Sequence, residues 1–283
     1  MKPEPFEIVP GLSYEEYEKR PGTNGSLLAA VIKKSMRSVR AIIDGKGKAA
    51  SEAMDFGTAF HALALEGRRE FVEQPETYPA KDGPKPWNNN ANFCKEWNEK
   101  QDKTILTGEE IEQLIGMTDA VKSEKILAPY LSGQSELSIF ATQNGYPLKI
   151  RIDHLPDDES GPVIDFKKAR SAKPDEFVKS AYDLLYHVKA AFYLDVLKLI
   201  GKPRKSFWFV AVEQTYPHDT SIIRMCDRPG DLFIPAGRTL YRDAFKELVK
   251  AQNGNLWPSY GQHEAEVAAP DWMKNQLDNL SNQ

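Results

Sequence analysis

The chain has 283 residues, 41% hydrophobic and 28% charged, and its 37 basic and 41 acidic side chains leave a net charge of -4. That length can bury a sizeable core without disulfide or metal staples, and the balance excludes a uniformly basic, histone-like binder while leaving room for local basic surface. Only two cysteines, Cys94 and Cys226, are present and they form no paired motif, which points to a reducing compartment and argues against a zinc or iron–sulfur centre.

The N-terminal stretch MKPEPFEIVPGLSYEEYEKR has no apolar run of signal-peptide length. No segment approaches the ~18 apolar residues of a membrane span, so a cytoplasmic protein is expected. With no internal repeat and no clear linker, residues 1–283 read as one domain, with its core near 130–215. Residues 1–25 form a Pro- and Glu-rich lead-in with one helical turn near Tyr14–Lys19. Ser26 is a candidate cap for one helix through LLAAVIKKSMRSVRAIID, ended by Gly45 and Gly47. A second helix covers SEAMDFGTAFHALALEG, between Ser51 as N-cap and Gly67 as stop. Residues 74–93, rich in Pro, Asn and charge, read as a long surface loop, and helical patterns return at Cys94–Lys103 and Gly108–Ala128.

The period then changes. Residues 135–141, 146–155 and 162–168 read as three strands. Asn144-Gly145 is a strong hairpin signal between the first two, and PDDESGP links the second and third. Short links predict a three-stranded antiparallel meander. One long helix is expected from Pro174 to Ile200, then an apolar, central strand at 206–214, a further strand at 220–227, a helix over Asp231–Asn253 and a short C-terminal helix. The fold class is therefore α/β (α+β): a central mixed β-sheet containing the meander, flanked by helices on both faces.

Asp153 and Asp165 lie twelve residues apart on neighbouring strands, and Lys167 shares a strand face with Asp165. Two carboxylates that close need a shared proton or a divalent cation between them. Mg2+ suits oxygen ligands of this kind, and the Phe166 carbonyl adds another oxygen. Lys167 could then activate a water or neutralise charge on a phosphate, the equipment of metal-assisted phosphodiester hydrolysis. A cross-strand salt bridge explains the same three residues equally well, because D-x-K is a short pattern. The basic groups Lys33, Lys34, Arg37 and Arg40, then Lys167, Lys168, Arg170 and Lys173, then Lys198, Lys202, Arg204 and Lys205 are each read first as a solvated face.

RID, then VIDFKK, then a helix carrying YHVKAAFYLD together resemble the PD-(D/E)XK nuclease superfamily, in its RecB-like branch, and within that the RecE-type phage and prophage exonucleases. DFGTAFHALALEG, GRTLYRDAFKEL and WPSYG extend the resemblance over roughly residues 20–262. The resemblance implies a restriction-endonuclease-like core in which Asp153 and Asp165 hold Mg2+, with Mn2+ as a substitute. It implies Lys167 as catalytic lysine, His61 as metal ligand or catalytic histidine, and Glu136 as a further acidic site residue. Tyr193 matches the tyrosine of a Q-x-x-x-Y pattern, but Lys189 stands at the glutamine position, where a point charge replaces an amide that both donates and accepts. Lys189, Tyr193 and Lys168, with Lys33 and Arg37, become candidates for holding DNA phosphates. The activity implied is 5′ to 3′ degradation of linear double-stranded DNA, leaving 3′ tails for recombination with a single-strand annealing protein. A ring-shaped homo-oligomer, trimer or tetramer, in a bacterial host is implied with it. An endonuclease of the same superfamily, or a DNA-binding protein of this fold with impaired chemistry, are the alternatives.

Overall fold

The computed structural model describes residues 5–46, 52–262, 268–271 and 273–274. The lead-in contains a strand, β1 (Phe6–Val9), absent from the sequence expectation, and α1 (Tyr14–Lys19), where a helical turn is expected. Ser13 and Glu16 close a reciprocal capping box on α1. The single helix expected after Ser26 is two: α2 (Gly25–Lys33) and α3 (Met36–Ile43). Asn24, not Ser26, caps α2 through the Leu27 N–H, and Ser35 caps α3 through Ser38. A serine in the middle of IKKSMRS thus serves as a restart signal rather than a helix interior residue.

The helix α4 (Glu52–Glu66) ends before Gly67, as expected, while the Ser51 cap lies outside the described residues. Residues 74–93 are not wholly loop: after β2 (Phe71–Glu73), the two-residue strands β3 (Thr77–Tyr78) and β4 (Lys85–Pro86) pair with each other. Next come α5 (Asn92–Glu99), β5 (Thr104–Leu106), which pairs in parallel with β2, and α6 (Gly108–Ser123).

The three expected strands are β6 (Gly133–Gln143), β7 (Tyr146–Pro156) and β8 (Val163–Ala169). The helix expected over Pro174–Ile200 breaks into α7 (Pro174–Asp183) and α8 (Tyr186–Leu199), with Leu185 left-handed at φ 60° between them. Then follow β9 (Ser206–Glu213), β10 (Thr220–Cys226) and α9 (Phe233–Gly254). The expected short C-terminal helix lies largely outside the described residues. Among the described residues, no helix is long and apolar enough to cross a membrane.

The main sheet runs β1-β6-β7-β8-β9-β10. Among the described strands of this sheet, β8 and β9 are the one parallel pair, with α7 and α8 as their crossover. Alternate residues of β8 and β9 feed two buried clusters. Val163, Phe207 and Phe209 pack with Val188, Phe192 and Leu197 of α8. Ile164, Phe166, Trp208 and Val210 pack with Phe60 of α4 and Leu114 and Met117 of α6. Burial on both faces explains why SFWFVAV is an unbroken apolar run. The mixed sheet with helices on both faces is the fold class expected from the sequence.

Candidate active site

Between the paired residues Ser135↔His154 and Leu137↔Ile152 of the β6–β7 hairpin stand Glu136 and Asp153. Glu136 has φ 50°, a left-handed conformation inside a strand. The apolar alternation slips at the same place: Leu148, Ile150 and Ile152 share a buried cluster with Leu155, one residue out of phase. The hairpin therefore twists sharply here, and β7 and β8 pair only at His154↔Ile164. Where they part, the Asp153 carboxylate takes over from the ladder: its Oδ2 accepts the Phe166 N–H at 2.9 Å.

His61 reaches this gap from α4. Its Nδ1 lies 3.1 Å from Glu136 Oε1, its Nε2 3.0 Å from the Phe166 carbonyl and 3.7 Å from Asp153 Oδ2. The candidate ligand atoms of His61, Glu136 and Asp153 all lie within 4.8 Å of one another. Two carboxylates, an imidazole and an adjacent carbonyl oxygen form a donor set that fits a divalent cation such as Mg2+ or Mn2+, the imidazole favouring the latter. Arg151, two residues before Asp153 on β7, holds the other Glu136 oxygen at 2.6 Å and is braced by the Leu12 carbonyl at 2.6 Å.

Lys167 stands between the two aspartates, its Nζ 4.0 Å from Asp153 Oδ2 and in direct contact with Asp165 Oδ1. Lys189 Nζ contacts the other Asp165 oxygen. The Asp165 side chain is only 1% exposed, so these two ammonium groups are its ionic environment. Asp165 therefore lies one ammonium away from the His61–Glu136–Asp153 group rather than inside it.

The charges tune one another. Burial disfavours the Asp153 carboxylate, but His61, Lys189, Lys167 and the Phe166 N–H outweigh it and hold its pKa down to about 2. Burial and the neighbouring Lys189 charge push Lys167 down to about 7. Burial of the His61 imidazole opposes its charge, but Asp153 and Glu136 prevail and raise its pKa.

The sequence candidates for DNA contact distribute differently from expectation. Lys189 is inside the site. Tyr193 is 6% exposed, lies under the Lys189 ammonium (5.1 Å to the ring centroid), and accepts from the Arg151 N–H at 3.5 Å. Its ring is buried beneath Lys189 and not at the surface. Lys168 is exposed over the Phe56 ring, and Lys33 and Arg37 are exposed on α2 and α3, with Lys33 donating to the Asp183 carbonyl. Two site residues were not singled out from the sequence. Arg151 shares a strand parity with Asp153, and Tyr186, whose ring centroid is 5.5 Å from Lys167 Nζ, lies one helical turn before Lys189.

A mixed sheet with Asp153 at a strand split and Asp-Phe-Lys on the adjoining strand defines a chain of the PD-(D/E)XK type. The chain matches the PDDEXK-like domain of unknown function (DUF3799) over residues 29–268, and it belongs to that family. Its fold is similar to the crystal structure of a "Putative exonuclease" from Eubacterium rectale, with TM-score 0.63 and 14% identity over 93% of this chain and 97% of that one. At such identity the likeness is one of fold. The structure of SSO0001 aligns over 70% of this chain and 87% of that one at 13% identity, with a TM-score of only 0.28. No curated protein matches the chain in sequence.

Proposed function

We propose that this protein is a divalent-cation-dependent deoxyribonuclease that hydrolyses phosphodiester bonds of linear double-stranded DNA from its ends, 5′ to 3′. The observation that carries the reading is the convergence of His61, Glu136 and Asp153, with Lys167 4.0 Å from Asp153. His61, Glu136, Asp153 and the Phe166 carbonyl would hold Mg2+ or Mn2+, with Asp165, a ligand by resemblance, steering the two lysines beside them. When bound, the cation neutralises charge developing on the phosphate oxygens.

The chain's own residues do the rest. Arg151 fixes the Glu136 carboxylate, and the Phe166 N–H fixes that of Asp153. Lys167 is placed to receive a proton from an attacking water or to donate to the phosphate. Attack by water oxygen at phosphorus breaks the P–O3′ bond and leaves a 5′-phosphate and a 3′-hydroxyl. Lys33, Arg37 and Lys168 supply exposed positive charge for the DNA backbone, so binding weakens as salt rises. Ring assembly, a single-strand annealing partner and a role in recombination complete the proposal by resemblance.

The test is digestion of linear duplexes labelled at either end, bearing 5′-phosphate or 5′-hydroxyl, beside closed circular DNA, with Mg2+ or Mn2+. Early release of 5′ label with intact circles is expected. Release only from 3′ ends would overturn the polarity, and cutting of circles would overturn end dependence. No digestion of any substrate would leave a DNA-binding protein of this fold.

A further inference from the structure

Lys189 of α8 lies between β8 and the start of α2. Its ammonium is bound to Asp165, its stem passes along Gly25 at the start of α2, and the Tyr193 ring lies beneath it. The side chain is 24% exposed, which is little for a lysine meant to sweep the backbone of passing DNA. Around it, the carboxylates of Glu136, Asp153 and Asp165 are matched by Arg151, Lys167 and Lys189. The three acids carry no surplus of negative charge that would draw in two dications. Nucleases that use two metal ions place them about 3.5–4 Å apart, each on its own carboxylate oxygens. Here the oxygens of Asp165 are already committed to the two lysines, and a dication beside them would face the Lys189 ammonium at contact distance.

We propose that Lys189 is a built-in cation that takes the place of a second metal ion, so that the site binds one divalent cation and no more. Resting on the reading of this site as a cation-dependent nuclease centre, the inference assigns Lys189 as a positioning residue. It holds Asp165 and keeps, from the protein, one positive charge where a second metal ion would otherwise sit. The single dication belongs to the His61–Glu136–Asp153 side of the site.

The test is calorimetric titration of the full chain with Mn2+ alone, checked by electron paramagnetic resonance of the free ion. The wild type is expected to bind one Mn2+. Lys189→Gln, which removes the charge and adds a carbonyl oxygen, is expected to bind two, and Lys189→Arg, which keeps the charge, to bind one. Lys189→Met provides a second uncharged variant should Lys189→Gln fail to fold. Two ions in the wild type, or one in every folded uncharged variant, would overturn the inference and leave the nuclease reading standing. No ion bound by the wild type would overturn both.

Discussion

Glu136 sits at φ 50° in the middle of β6, where a side chain other than glycine pays a conformational penalty. The surrounding structure holds it there through Arg151 on one carboxylate oxygen and His61 on the other. The strain buys the aim of the carboxylate toward His61. Glu136→Gly and Glu136→Ala both remove the carboxylate, but only glycine relaxes the backbone. In urea denaturation, Glu136→Gly is expected to be the more stable of the two by about 1 kcal/mol, with metal binding weakened in both. A Glu136→Ala protein at least as stable as Glu136→Gly would show that the left-handed backbone is not strained. The acid itself was legible through the resemblance, which implies an acidic site residue at Glu136. Its backbone was not, because neither Ser135 nor Leu137 announces a left-handed residue. Likewise Asp153 was legible as an acid, whereas its bond to the Phe166 N–H depends on a strand separation that no local pattern encodes.

At the scale of elements, the sequence marks helical faces well and helix breaks poorly. Phe177, Ala181, Leu184, Val188, Ala191 or Phe192, and Leu199 were readable as one apolar stripe; Phe177, Ala181, Val188, Ala191 and Phe192 are buried, whereas Leu184 at the break and Leu199 at the end of α8 are exposed. The break at Leu185 was not readable, since leucine is a good helix former and carries no turn signal. The contact between α8 and α9 was also invisible, because its polar partners are 43–47 residues apart. There Asp195 accepts from Arg238 at 2.9 Å, Arg242 at 2.9 Å and the Tyr241 hydroxyl at 2.5 Å. Burial disfavours the Asp195 charge, but Arg238 and Tyr241 outweigh it and lower the pKa below the ordinary carboxylate value. A lowered folded-state pKa means that the unfolded chain takes up the proton first as pH falls. The stabilisation is therefore complete above the ordinary aspartate range and declines as pH drops through it. In thermal melts, wild type should be more stable than Asp195→Asn, most of all at pH 7, by about 1.5–3 kcal/mol, and the two should converge as pH falls below the ordinary aspartate range. A difference that stays constant with pH would place the contribution in packing rather than charge.

At the scale of the molecule, the order of the central strands was legible because short, Gly- and Asp-bearing links force β6, β7 and β8 into a meander, and a long helical crossover returns β9 beside β8. The edges were less so. β1 is four residues long, half-exposed and set among Pro and Glu, so its pairing with β6 is a tertiary contact rather than a local preference. The sheet positions the site by leaving β7 and β8 unpaired beyond a single residue pair, with α4 delivering His61 from one side and α8 delivering Lys189 from the other. The measurement that bears most directly on this account compares wild type with Asp153→Asn on linear duplex DNA in Mg2+, alongside their thermal melts. Asparagine keeps an oxygen for the Phe166 N–H and removes only the charge. A fall in the cleavage rate of about 10²–10³-fold, in a protein that still melts cooperatively but below the wild type because the lowered Asp153 pKa marks a stabilising charge, is the expected result. Unchanged cleavage by a folded Asp153→Asn protein would contradict the assignment of this site.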